Sequence, residues 1–408
     1  MKQEFLTLLK DARKNEKSQI VDLDYTQLYH LSKEHEVLAL IYNQIYAFPS
    51  FPTDLKNQWK REAIKINAIQ TIKTDRFLKV YQKFIEADII VLVVKGIICR
   101  SLYPQPENRP SNDEDLYVQQ KDFDKAKNIL LDNDFVLVEE GEDVSTFLDR
   151  INGLSIELHT SLFSQESKAY GKFQDSFEHA FDSPIQHCIH NVNVYSLSYD
   201  LHFLFLLMHL IKHFLHGGVG IRQILDIVMY GEQYGQFINW DYIYTVLKDS
   251  NFYVFIMNVF ALAHDLLDMS FEHIQLLDDY KTINKDYQSL LDDILDAGVF
   301  GKSTQERLHS STMTLNAMET GKKSLKKSLF PEKSYLEKKY TYLKKYPFLL
   351  PVAWISRIIS YIGNKQQGSG QKTIEIGNQR IELLKNIRLL NSYEHTYAHM
   401  HKVMHTCE

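Results

Sequence analysis

The chain has 408 residues, long enough for two domains and a sizeable core. Its 46 Lys and Arg against 52 Asp and Glu leave a net charge of -6, which argues against a general nucleic-acid coat, since such proteins are basic. Three cysteines, Cys99, Cys188 and Cys407, are odd in number and far apart, so a reducing compartment without a disulfide framework is expected.

Residues 1–86 are helix-rich, punctuated by Pro49 and Pro52, with helical spacing through 54–88. Met1-Lys2-Gln3-Glu4-Phe5 lacks the basic-then-apolar pattern of a signal peptide. The texture changes at Ile89, where short β-branched runs begin to alternate with helical segments. The spacing predicts strands over 89–94, 113–118 and 135–138, and helices over 97–103 and 122–133. Runs 146–151 and 154–160 read as a hairpin closed by Asn152-Gly153, a strong two-residue turn signal. From residue 199 the pattern is helical. Helices over 201–215 and 221–234 are joined by His216-Gly217-Gly218-Val219-Gly220, whose glycines permit a tight turn, and further helices reach about 297.

Residues 301–321 read as a looser connection, 322–345 as a lysine-rich stretch, 366–370 as a loop and 374–390 as a last helix. The longest apolar stretch, 348–362, is interrupted by Pro351 and Arg357 and falls short of the roughly 20 residues a spanning helix needs. No transmembrane segment and a cytoplasmic location are therefore expected. The expected fold class is α+β, a small mixed β-sheet core with large helical regions. Four segments are expected: a helical 1–86, an α/β core at 87–197, a helical domain at 198–300 and a basic helical region at 301–408.

The chemistry concentrates in a broken string. The apolar run Ile89-Ile90-Val91-Leu92-Val93-Val94 enters a Lys95-Gly96 turn. The next strand carries Asp113 and Asp115, which point to the same side because successive strand residues alternate. Two carboxylates a few Å apart repel unless a cation lies between them, and Mg²⁺ or Mn²⁺ suits oxygen donors with phosphates. A third carboxylate, Glu157, would let the cluster hold two metals across a phosphate undergoing in-line displacement. Its place between Ile156 and Leu158 fits an inward carboxylate or, on the plainer reading, a solvent-facing strand residue. His159 shares that face, as a neighbour of the metal or as packing.

Other residues carry two readings each. Lys95 either steadies a triphosphate as a point charge or caps a buried strand. Arg109 and Ser111 either orient phosphate or the acids, or Arg109 forms a structural Arg–Asp pair. His209 and His213 have the spacing of a metal pair, although buried, hydrogen-bonded histidines are the commoner outcome; Lys212 and His213 are candidates for nucleotide or acceptor contact. Arg222 and Asp226, four apart, form an internal ion pair, or Arg222 reaches phosphate. The lysines of 322–345, interleaved with Tyr335, Tyr340 and Tyr342, are a solvated face or a contact for RNA, an acidic partner or membrane headgroups. The tail histidines His395, His399, His401 and His405 are expected to fray.

Lys95-Gly96, Tyr103-Pro104, Arg109-Pro110-Ser111-Asn112-Asp113-Glu114-Asp115 and Ile156-Glu157-Leu158-His159 stand in one order. Met208-His209-Leu210-Ile211-Lys212-His213 and Gly220-Ile221-Arg222-Gln223-Ile224-Leu225-Asp226 come next, with Leu329-Phe330-Pro331 and Leu350-Pro351-Val352-Ala353-Trp354 later. Over roughly residues 85–385 this resembles the bacterial nucleotidyltransferase-like family of the DNA polymerase β superfamily. The resemblance implies a small mixed sheet with helices on one face, followed by a helical domain that closes the cleft. It implies Asp113 and Asp115 as metal ligands and Glu157 as third carboxylate. Lys95, Gly96, Arg109, Ser111, Lys212 and Arg222 are the residues expected around the nucleotide. The expected activity is metal-dependent transfer of a nucleoside monophosphate from a triphosphate such as ATP to an acceptor (a small molecule, a protein or RNA), with release of pyrophosphate. Where the superfamily has Gly-Ser or Gly-Gly at the phosphate turn, this chain has Gly96-Ile97. That departure keeps open a catalytically degenerate nucleotide-binding or protein-interaction module.

Overall fold

The computed structural model describes residues 1–20, 22–167, 169–250, 252–274, 287–298, 333–336, 340, 342–363, 369–387 and 389. Residues 301–332, Gln366-Gln367-Gly368, Cys407 and the tail histidines lie outside the described residues, as does most of the lysine-rich stretch.

Four helices open the chain: α1 (Lys2–Arg13), α2 (Tyr25–Glu34), α3 (Leu38–Ile45) and the 34-residue α4 (Thr53–Glu86). Asp24 starts α2 by accepting the Thr26 and Gln27 N–H groups at 3.0 and 2.9 Å, which satisfies donors a helix start leaves free. Phe77, Val80, Tyr81 and Phe84 of α4 are buried at helical spacing. Strand β1 (Val91–Val93) is shorter than its apolar run, because the Ile89 N–H still bonds back to Phe84 and Ile90 is 46% exposed. Helix α5 (Gly96–Arg100), β2 (Asp113–Val118), α6 (Phe123–Asp132), β3 (Phe135–Glu140), β4 (Val144–Asp149) and β5 (Ser155–His159) come next.

The β4–β5 turn differs from the two-residue hairpin that Asn152-Gly153 suggests. It spans residues 150–154 and winds around Asp149, whose carboxylate accepts the Ile151 and Asn152 N–H groups at 2.9 and 3.3 Å. Gly153 supplies the positive φ of 66°. A second hairpin, β6 (Ile185–Ile189) and β7 (Val192–Ser196), was not expected; His190 and Asn191 turn it with φ of 46° and 66°, the backbone of a type I′ turn.

The fold is mixed α+β. The seven strands form one sheet in the order β3-β4-β5-β2-β1-β7-β6, with β2 parallel to β5, β1 parallel to β7 and the other neighbours antiparallel. The helical half adds α7 (Tyr199–His216), α8 (Ile221–Tyr234), α9 (Trp240–Asp249), α10 (Tyr253–Leu267) and α11 (Gln288–Ala297), and later α12 (Leu350–Gly363) and α13 (Ser369–Asn386). In the glycine-rich α7–α8 turn the Gly217 and Gly218 N–H groups both reach the His213 carbonyl at 3.0 Å, and Gly218 alone takes a positive φ, 137°. One continuous apolar core runs from Phe5 of α1 through Leu92, Leu116 and Ile156 of the sheet to Leu207, Ile224 and Leu384. Among the described residues no helix is long and apolar enough to cross a membrane.

Candidate active site

The register of two strands builds the site. In the parallel β2–β5 pair, Asp113 stands opposite Ser155, Asp115 opposite Glu157 and Tyr117 opposite His159. Paired residues share a face, so both aspartates, Glu157 and His159 project from one side. The Lys95 turn closes the edge: Lys95 Nζ lies 2.9 Å from Asp115 Oδ2, with both side chains buried. His159 Nε2 lies 3.5 Å from Asp115 Oδ1 and 3.5 Å from Glu157 Oε2.

The charges are strongly interdependent. Burial opposes the Asp115 charge, but Lys95 and His159 overcome it and hold this carboxyl well below the usual range. Asp113 moves the other way, raised by burial and by the charges of Asp115 and Glu157 against the pull of Lys95. Burial weighs against the Lys95 ammonium, yet Asp115 and Asp113 raise its pKa. His159 is likewise raised, because Asp115 and Glu157 outweigh its burial. His209 and His213 of α7 are driven well below the ordinary imidazole value by burial and then by the Lys95 charge. They therefore sit neutral, their Nε2 atoms 3.0 Å apart.

The other expected residues take different roles. Gly96 is required by the group packed behind it: its φ is +30°, and an added Cβ would fall 1.7 Å from Glu114 Oε2. Glu114 points away from the aspartate face; it accepts the Ile97 N–H at 2.8 Å and pairs with Arg100 at 2.6 Å. Arg109 does form an Arg–Asp pair, but with Asp226 rather than with the strand aspartates. Its Nε and Nη2 reach Asp226 Oδ1 and Oδ2 at 2.7 and 2.6 Å, and Nη1 lies 3.4 Å from the Gly96 carbonyl. Tyr103 donates to the same carboxylate at 2.9 Å. Arg109 thus braces the Gly96 turn from within, through Asp226 and the Gly96 carbonyl.

The Arg222–Asp226 pair suggested by spacing does not form, because loop 103–110 takes Asp226. Arg222 instead donates to the Pro110 carbonyl at 2.6 Å and pairs with Glu36. Ser111 Oγ donates to the Asp113 carbonyl at 2.6 Å, which fixes the entry into β2. Lys212 Nζ sits 5.9 Å from the centre of the Phe163 ring. Sequence reasoning missed Glu114, Arg100 and Lys73. Lys73 comes from α4, its Nζ 3.4 Å from the Ser111 carbonyl, with burial lowering its pKa beside Asp113 and Glu114. Nothing local in α4 marks Lys73, since it reaches the site only through the packing of a helix that precedes β2 in the chain.

The donor set fits a divalent cation. Asp115, Glu157 and His159 each offer one ligand atom, all within 4.8 Å of one another, with Asp115 Oδ2 also ion-paired to Lys95. Asp113 and Asp115 of β2 thus stand beside Glu157 of β5 at the mouth of the Lys95-Gly96 turn. A family model described as an uncharacterised nucleotidyltransferase matches residues 22–268, and the chain belongs to that family. No curated protein matches the chain. No solved structure matches it either.

Proposed function

We propose that the protein is a metal-dependent nucleotidyltransferase of the DNA polymerase β superfamily, moving a nucleoside monophosphate from a triphosphate to an acceptor and releasing pyrophosphate. One observation carries this reading: the parallel register that sets Asp115 beside Glu157, with Asp113 two residues earlier on the same face. Asp113, Asp115 and Glu157 would hold Mg²⁺ or Mn²⁺, and the bound metal would offset charge on the phosphates. Lys95 adds a fixed buried cation beside the carboxylates and steadies the triphosphate. Lys212 and Arg222 lie on the helical half, which lends the acceptor side of the cleft. Arg109 and Ser111 act by holding the Gly96 turn and the start of β2 in place.

The test is thermal stabilisation by each nucleoside triphosphate, with and without Mg²⁺ or Mn²⁺, in the wild type and an Asp113→Ala, Asp115→Ala double variant. Ligand at a hundred times its dissociation constant adds about 2.7 kcal/mol, which moves a melting midpoint by several degrees. The expected result is a metal-dependent shift that the double variant loses. No shift with any nucleotide would sink the reading.

A second reading, nucleotide binding without turnover, draws on the Ile97 N–H. That donor, at the position of a phosphate turn, is already taken by Glu114 at 2.8 Å. Tight metal-dependent binding without pyrophosphate release across small-molecule, protein and RNA acceptors would favour it.

A further inference from the structure

We propose that His159 is a nitrogen ligand of this site, and that the site therefore selects a first-row transition ion, represented by Mn²⁺, over Mg²⁺. The inference rests on the metal-site reading above and deepens it. Three atoms converge within 4.8 Å, and one of them is an imidazole nitrogen rather than a carboxylate oxygen. The His159 side chain is buried, and its Nε2 faces two carboxylates without a close hydrogen bond to either. Its distances to Asp115 and Glu157 are both 3.5 Å. A charge-assisted hydrogen bond would draw those atoms to about 2.7–2.9 Å. Both carboxylates stand equidistant from Nε2 and beyond that length, so the imidazole is turned toward the acids without being tied to either.

The strand register explains why the imidazole arrives there. His159 is two residues beyond Glu157 on β5 and shares its face, while Tyr117 stands opposite it. A histidine in that slot brings nitrogen into an otherwise all-oxygen set. Mg²⁺ keeps to carboxylates, phosphates and water and dehydrates reluctantly, whereas a nitrogen donor favours first-row transition ions; Mn²⁺ binds most weakly of that series and serves as the probe because its unpaired electrons report a nitrogen ligand directly.

The test is titration of the full chain with MnCl₂, followed by electron paramagnetic resonance, with MgCl₂ as competitor and pulsed detection of ¹⁴N coupling to the bound Mn²⁺. The expected result is Mn²⁺ binding at least tenfold tighter than Mg²⁺, with an imidazole ¹⁴N signal. In His159→Gln the signal disappears and the preference falls by tenfold or more. Because the ¹⁴N signal is read on the wild type, a poorly folding variant does not remove the test. Mn²⁺ bound without ¹⁴N coupling, or displaced by Mg²⁺ on equal terms, overturns the His159 assignment and leaves the carboxylate site standing. Retention of the signal and the preference in His159→Gln overturns it too. Failure of either ion to bind, with or without nucleotide, overturns both the assignment and the metal-site reading.

Discussion

Lys95 Nζ rests 2.9 Å from Asp115 Oδ2, with both side chains almost wholly withdrawn from water. A buried ion pair differs from a surface one in the cost of its rupture. The removal of one partner leaves the other charged and desolvated, which costs far more than the pair contributes. In the proposed reaction the metal and the triphosphate bind against this same pair, so one substitution would alter both stability and activity.

Lys95→Met should destabilise the protein by about 3–5 kcal/mol in urea unfolding, because Asp115 then stays buried beside Asp113 and Glu157 without its cation. Adding Asp115→Asn to Lys95→Met should restore much of that loss, since the carboxylate repulsion falls with it. Addition of Mn²⁺ to Lys95→Met should also recover part of it. Equal stability of wild type and Lys95→Met would mean that the ion pair is not formed in solution.

Gly96→Ala should be poorly tolerated. The new methyl would lie 1.7 Å from Glu114 Oε2 on a backbone with φ of +30°. Glu114 cannot retreat easily, being held by the Ile97 N–H and by Arg100. Overpacking together with backbone strain amounts to roughly 3 kcal/mol or more. Calorimetric melting checks this, and an unchanged midpoint would show that Glu114 has room to move.

The shared face of Asp113 and Asp115 was legible in the sequence because a strand's period of two is local, and the apolar residues flanking this pattern mark it. The register joining Asp115 to Glu157 was not, because it depends on a parallel pairing between strands far apart in the chain. Arg109 shows the same limit: an arginine close to Asp113 in sequence chooses Asp226, on a helix more than a hundred residues later. Spacing failed for Arg222 and Asp226 since a four-residue interval permits a pair without requiring one. The β6–β7 hairpin was overlooked because its turn, His190-Asn191, lacks the Asn-Gly signature, while the Asn152-Gly153 that has it sits inside a longer turn organised by Asp149.

Asp226→Ala should lose about 3–5 kcal/mol, as it strands the buried Arg109 guanidinium and removes the acceptor of Tyr103. Arg109→Lys should also destabilise, because an ammonium cannot fill a bidentate fork. Arg109→Met with Asp226→Leu should recover most of the loss. Any of these variants that remains folded should keep its triphosphate affinity within a few fold, measured by calorimetric titration. A large selective loss of affinity in folded Arg109→Lys would return Arg109 to the phosphate.

Acid should weaken the fold from below neutral pH, and the sign comes from two buried histidines. Burial lowers His35 to about 4 and His202 to about 3, against an unfolded value near 6.5. Each group stays neutral in the folded chain while the unfolded chain takes up a proton. The stabilisation is therefore fully present above about pH 6.5 and is lost as pH falls toward the folded values. By pH 5 each histidine removes roughly 2 kcal/mol, so urea midpoints should drop sharply between pH 7 and pH 5. His35 supplies the chemical check. Its Nδ1 accepts the Ile221 N–H at 3.3 Å and its Nε2 faces the Leu295 carbonyl at 3.2 Å, so only the neutral ring with the proton on Nε2 satisfies both. His35→Gln offers a carbonyl and an amide N–H that never titrate. Its stability should change less steeply with pH by close to one proton, and an unaltered slope would place the acid sensitivity elsewhere.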